Sequence, residues 1–234
     1  VTACIKARWL LCVPLVALCA LGSVGAAADP EASMRAFVVS IARHAREAAP
    51  AFLLVAQDGL ELLTESGRVD GLPATEYVAA LDGVGQEDVT FGYTGVGSST
   101  SAEAHAVLLG FLDLAERLGL AAFVIDYCRD PDQVKYALSV AAEHAFVGYA
   151  APSQDLEVIP EDTIQPSAVQ SGHVRRLSEA RNILFLINPE RYGSKGEFVG
   201  ALADAPYDVL VVDGWFDVGV PLSAGDVAAL GRKP

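Results

Sequence analysis

The sequence predicts an α/β fold with parallel strands, on three observations. Four apolar runs finish on a carboxylate or an amide: Phe52 to Gln57-Asp58, the approach to Gln86-Glu87-Asp88, Ala122 to Asp126-Tyr127, and Tyr207 to Asp213. Parallel strands that end this way gather their polar residues at one edge of a sheet or one mouth of a barrel. Helical patterns alternate with the runs, as right-handed crossovers between parallel strands require. Six runs read as strands, near 52, 78 to 91, 121, 145, 182 and 207. Six make either an open doubly wound sheet or an incomplete eight-stranded barrel, and periodicity alone barely separates the two.

The elements follow in order. Met34, Phe37, Val38, Ile41 and Ala45 share one helical face, with Ser33 as cap and Pro50 as stop. The strand at Phe52 to Ala56 breaks at Gly59, and Leu60 to Glu65 makes a short helical turn. A polar loop runs from Ser66 to Gly71. Val78 to Leu81 reads as the strand approaching two glycines and then Gln86, Glu87 and Asp88. Thr94 to Ser101 is a loop beside these acids, placed to act as a lid or to touch substrate.

Ser101 caps a helix over Ala102 to Leu118, with Val107, Leu108, Phe111, Leu112 and Ala115 inward and Gly119 as its end. The strand Ala121 to Asp126 comes next. Asp130-Pro131 starts a turn and then a helix from Asp132 to Glu143, and Ala145 to Ala150 is a strand. Residues 152–172 hold Pro152, Pro160 and Pro166 and lose all periodicity, which marks an irregular connection. Asn182 to Asn188 is a strand, Lys195 to Ala203 a helix and Tyr207 to Asp213 a strand. Ser223 to Leu230 begins a helix with no strand after it.

Composition limits the partners. Among 234 residues, 52% are hydrophobic, enough for a large core, and the formal charge is −14. Such a surface excludes nucleic acid and anionic membranes as partners and suits a cationic or neutral one. Residues 1–28 read as a signal peptide: Lys6 and Arg8, an apolar run from Trp9 to Val24, then Ala26-Ala27-Ala28. The expected location is secreted or periplasmic, free of the membrane after cleavage. The first residue is Val, as a literally translated alternative start codon or an internal beginning would give.

Three of the four cysteines lie in that leader, which leaves Cys128 without an internal partner and more in keeping with a small buried hydrophobe than a nucleophile. No cofactor is expected. His44, His105, His144 and His173 have no metal-ligand spacing, and Gly95 to Ser99 lacks the Gly-Lys-Ser/Thr of a phosphate loop.

Residues 34–234 resemble a known family, on several motifs in one order. These are Met34-Arg-Ala-Phe-Val with Ala42-Arg-His-Ala-Arg46, Val55-Ala-Gln-Asp-Gly-Leu-Glu-Leu-Leu63, Leu81-Asp-Gly-Val-Gly-Gln-Glu-Asp88 with Phe91-Gly-Tyr93, Val124-Ile-Asp-Tyr-Cys128, Asn182 to Glu190, and Tyr207 to Asp213. The chain is similar to the glycoside hydrolase family 114 barrels, endo-α-1,4-polygalactosaminidases once labelled as related to cysteinyl-tRNA synthetase. The resemblance implies a (β/α)8 TIM barrel in permuted order, with about six βα units present. In that family a Gly-Glu-Ala-Glu strand and a Tyr-Leu-Asp strand would follow a motif like Leu230 to Pro234, and neither occurs in this sequence. Asp58 stands where the family usually has Asn; a carboxylate accepts hydrogen bonds but cannot donate them.

Glycoside hydrolysis takes two carboxyl groups, about 5–5.5 Å apart for retention and about 6.5–9.5 Å for inversion, one of them protonated. By resemblance Glu87 is the acid/base group, while the aspartate that would partner it has no counterpart. The pocket implied around it holds Gln57, Asp58, Asp88, Asp126, Tyr127, Asp213 and Trp215. Several have a plainer reading. Glu87 is a solvated loop acid, Asp126 and Asp213 cap the helices after their strands, Tyr93 and Tyr127 pack at a rim, and Trp215 covers the barrel's edge.

The expected activity is hydrolysis of an α-1,4-linked, galactosamine-rich polysaccharide, whose free amines would suit the acidic surface. The alternatives are a non-catalytic carbohydrate-binding pseudoenzyme or a fragment without the nucleophile strand, and an open α/β sheet holding a small ligand at its strand ends.

Overall fold

A computed structural model of the protein describes residues 29–160, 174 and 176–231. The leader at 1–28 and most of the connection at 152–172 lie outside the described residues. Within them the fold is α/β. Strands β1 (Val55–Gln57), β2 (Gly83–Glu87), β3 (Ala121–Tyr127) and β4 (Val147–Ala151) form one parallel sheet in that order. Strands β5 (Ile183–Leu186) and β6 (Val209–Val212) form a parallel pair beside β4. Helices α1 (Pro30–Ala48), α2 (Thr75–Ala80), α3 (Ala102–Arg117), α4 (Pro131–Glu143), α5 (Lys195–Asp204) and α6 (Ala224–Leu230) alternate with them.

Register decides which side chains share a face. Gln57 pairs with Gly85 and Gly85 with Phe123; Glu87 pairs with Ile125 and Ile125 with Tyr149. Because side chains alternate along a strand, Gln57, Glu87 and Tyr127 share one face with Phe123, Ile125 and Tyr149. Ala56, Val84, Gln86, Ala122, Val124 and Asp126 take the other face. That second face is covered by helices: Ala42 of α1, Tyr77 of α2, and Phe111, Leu112 and Ala115 of α3 pack with Val84, Ala122 and Val124. Ala150 packs with Val134 and Ala137 of α4.

The first face meets β5 and β6. Tyr149 is 1% exposed and its ring touches Phe185 at 5.7 Å and Tyr207 at 6.4 Å. All seven residues of β3 are buried, which marks it as an interior strand. Burying each large apolar side chain here contributes roughly 1.5–3 kcal/mol.

Several local expectations are corrected. Val78 to Leu81 is not a strand; α2 ends at Ala80, and the strand begins at Gly83 and runs through both glycines. Tyr77 and Ala80, three residues apart, face the core, and an apolar run this short fits either period. The cap of α1 is Asp29, whose Oδ1 accepts from the Glu31 N–H at 3.1 Å, with Pro30 in the first turn. Phe37 points outward at 52% exposure, while Arg35 turns inward and donates to the Thr64 carbonyl at 3.1 Å.

Ser101 caps α3 as the sequence indicates, and Asp130 and Ser223 cap α4 and α6. A short antiparallel pair, β7 (Trp215–Asp217) and β8 (Val220–Pro221), was not anticipated. Its signal was the Val218-Gly219 turn between apolar runs, with Gly219 at φ 76°.

Candidate functional site

The site is built at the C-terminal ends of β1, β2 and β3. Gln57 ends β1, and its side chain lies across Gly85 on β2; a Cβ at that position would collide with Gln57 Oε1. The glycine therefore lets the amide reach along the strand, where Gln57 Nε2 donates to Glu87 Oε1 at 3.5 Å. From the other side, the Tyr127 hydroxyl donates to Glu87 Oε2 at 2.9 Å. Both oxygens of Glu87 are thus held by neighbouring strands.

Two more carboxylates flank it. Asp58 and Asp88 each follow their strand in a left-handed conformation at φ 58°, which turns the chain sharply out of the sheet. Asp58 Oδ1 accepts from Gln86 Nε2 at 2.9 Å and from the Glu87 N–H at 3.3 Å. Asp88 Oδ1 is buried without a hydrogen-bond partner, against Gly92 and the Tyr127 ring.

These surroundings raise the proton affinity of the cluster. Burial pushes the Glu87 carboxyl above its ordinary range; Asp58 and Asp88 add to the push and the Tyr127 hydrogen bond opposes it. Asp58 keeps part of its surface open, yet the protein atoms around it push its carboxyl up, with Glu61 adding and the Glu87 N–H opposing. Asp88 rises through partial burial and the charge of Asp58. The Tyr127 hydroxyl is raised too, chiefly by burial and then by Glu87, so it stays a donor.

An open cavity of about 650 Å³ adjoins the cluster. Asp58, Gln86, Glu87 and Asp88 bound it on the strand side. The first half of α3 bounds it on the other through Glu103, Val107 and Leu108, and Tyr93 completes its rim at 68% exposure. Val107, expected inward, is 48% exposed at this cavity. The loop carrying Tyr93 is tied at its base: Gly92 N–H donates to Ser98 O at 2.8 Å, and Gly97 N–H to Tyr127 O at 2.7 Å.

The other expected site residues stand elsewhere. Asp126 is 2% exposed on the helix-covered face and does not line the cavity. Its Oδ1 accepts from the N–H groups of Thr90 at 2.6 Å and Phe91 at 2.9 Å, so it caps neither a helix nor a sugar. Asp126 shares its face with Gln86, which does border the cavity; it is kept from the lining by the turn after β2, whose Thr90 and Phe91 N–H groups take its oxygen and bury it. Asp213 is exposed beyond β6, and its Oδ1 accepts from the Trp215 N–H at 3.2 Å. Trp215 is 54% exposed on β7. Neither borders the cavity beside Glu87.

Glu103 was not named from the sequence, Gln86 only as part of the strand end, and His105 only as a histidine without metal-ligand spacing. An acid in the first turn of a helix reads as ordinary dipole pairing, so Glu103 carried no separate signal. Burial raises the Cys128 thiol to about 12, which leaves it unreactive at neutral pH. Among the described residues, no group of three or more His, Cys, Asp or Glu side chains is arranged to hold a metal ion. Among them, too, no helix is long and apolar enough to cross a membrane.

No family model matches the chain. An uncharacterized protein of Deinococcus radiodurans is 30% identical to it over 118 residues, which is 50% of this chain and 35% of that protein. The chain therefore spans about a third of the length of the curated relative it matches.

Proposed function

We propose that this chain is a glycosidase-like protein of the polygalactosaminidase barrel type, secreted or periplasmic, with Glu87 as its general acid/base. The observation that carries the reading is the setting of Glu87. Its carboxyl is held by Tyr127 and Gln57 and raised by burial at the C-terminal end of a parallel strand. A carboxyl whose proton affinity is raised by its surroundings is suited to protonate a glycosidic oxygen.

The barrel reading draws support from topology. The order β1-β2-β3-β4 follows the chain without reversal, and α1 to α4 all cover one face. A doubly wound sheet reverses its order at a switch point and carries helices on both faces; a barrel wall does neither. The four carboxylates around the cavity, Asp58, Glu87, Asp88 and Glu103, with no basic residue among its lining, favour a substrate bearing amines.

Incubation of the protein with α-1,4-galactosamine polymer, followed by mass spectrometry of the products, tests this reading. Fragments from the wild type and none from Glu87→Gln are expected. Equal, undetectable cleavage by both rules out hydrolysis of this polymer. Saturable binding without cleavage would favour the non-catalytic carbohydrate-binding reading. The observation on its side is that Glu87 has both oxygens already engaged by Tyr127 and Gln57.

A further inference from the structure

The turn that leaves β2 is held by more bonds than a strand end requires. The Asp88 N–H donates to Ile125 O at 2.9 Å, and the Asp88 carbonyl accepts from Thr100 Oγ1 at 2.6 Å. His105 Nδ1 lies 2.7 Å from the Val89 carbonyl, which fixes that nitrogen as the donor. Thr90 and Phe91 both send their N–H groups to Asp126 Oδ1. The Thr90 carbonyl accepts from the Thr100 N–H and the Phe91 carbonyl from the Tyr127 N–H, each at 2.9 Å. Three elements thus converge on four residues: β3 through Asp126 and Tyr127, the segment before α3 through Thr100, and α3 through His105.

The object of this bracing is Asp88. A non-glycine residue at φ 58° is disfavoured and persists where its surroundings fix it. Here they hold its Oδ1, buried and unpartnered, against the ring of the tyrosine whose hydroxyl grips Glu87. A Cβ at Gly92, itself at φ 131°, would collide with that oxygen. A free turn would let Asp88 swing into solvent.

We propose that Asp126 is a positioning residue: with Thr100 and His105 it locks the Asp88–Phe91 turn and so sets the Asp88 carboxylate against Tyr127 and Glu87. Asp126 touches no substrate in this scheme and acts through the backbone it holds. The consequence for turnover rests on the hydrolase reading above; the consequence for the carboxyl groups does not.

The test reads the carboxyls directly. The groups facing Glu87 are Tyr127 from β3, Gln57 and Asp58 from β1 and its end, and Asp88 beside it in sequence. Carbon-13 NMR titration follows the Glu87 and Asp88 carboxyls in the wild type, Asp126→Ala, Asp126→Asn and Thr100→Val. Hydrogen exchange follows the Thr90 and Phe91 amides.

In Asp126→Ala the two amides should exchange at least about tenfold faster. The Asp88 and Glu87 midpoints should fall toward the ordinary carboxylate range as the turn opens. Asp126→Asn keeps an acceptor oxygen for both N–H groups and should restore slow exchange and the wild-type midpoints. A brace serving only global stability would lower the melting temperature in Asp126→Ala without moving either midpoint, and that outcome overturns the proposal. Should Asp126→Ala fail to fold, Thr100→Val removes only the hydroxyl bond to Asp88: a lowered Asp88 midpoint supports the lock, an unchanged one overturns it. On galactosamine polymer, Asp126→Ala should lose about tenfold in kcat with KM within about twofold. Absence of cleavage by the wild type would defeat the hydrolase reading while the titrations still decide the lock.

Discussion

The sheet β1–β4 and the pair β5–β6 both end strands on carboxylates, and only the first makes a cluster of them. Glu87 is reached from both sides, by Gln57 of β1 and Tyr127 of β3, across a strand with glycine at position 85. Asp213, at the end of β6, bonds within its own loop to the Trp215 N–H and stays exposed. A strand-end acid becomes part of a site when neighbouring strands, in register, offer it a donor. Without them it is a turn residue.

The largest expected effect tests that contrast at its centre. If hydrolysis is the activity, Glu87→Gln should lower the rate on galactosamine polymer by about 10²–10⁴-fold, the usual weight of a general acid/base. Asp213→Asn should cost about tenfold at most, measured by reducing-end release. Equal losses would erase the distinction between the two regions.

Glycine substitution comes next. Gly85→Ala pushes Gln57 off Glu87 and should cost about 1–3 kcal/mol by chemical denaturation. Gly200→Ala, inside α5 and with nothing within 4 Å of the added Cβ, should stabilise by up to about 1 kcal/mol.

Tyr127→Phe sharpens the electrostatic side. The hydroxyl hydrogen bond lowers the proton affinity of Glu87 against the larger effect of burial. Removing it should raise the Glu87 midpoint further and, if hydrolysis is the activity, carry the alkaline limb of the rate profile upward, with about a tenfold loss of rate from the looser carboxylate. A pH–rate profile reads both changes.

The two regions should also respond to pH with opposite signs. Asp58, Glu87 and Asp88 are raised, so the folded protein holds their protons more tightly than the unfolded chain does. Their contribution is complete below the ordinary carboxylate range and is lost as pH rises through the folded values. Asp58→Asn should therefore raise the melting temperature more at about pH 7 than at about pH 4.

Asp226 behaves in reverse. Its hydrogen bond with Lys195 at 2.8 Å, helped by the Ser223 N–H and hydroxyl, lowers its carboxyl to about 2. That contribution is present above the ordinary carboxylate range and is lost as pH falls toward the lowered value. Asp226→Ala should cost about 1 kcal/mol near neutral pH and less in acid, by denaturation at both.

The sequence by itself determined the layer plan. Apolar runs of strand length, Ser101 as a cap, Ser223 as a helix start, and Gly119 at φ 83° as a stop are local signals, read within a few residues. So the alternation of helix and strand was legible, and so was Glu87 with Gln57 and Tyr127 near it.

Tertiary structure decided what lies between elements. Val78 to Ala80 became helix because Tyr77 and Ala80 had a core to face. Asp126 left the cavity lining because the turn after β2 folds over it and takes its carboxylate with two N–H groups. Asp88 gained its place from Thr100 and from a carboxylate 38 residues on, and no local pattern encodes such a pairing. Local chemistry names the groups; only the register of neighbouring strands says which of them meet.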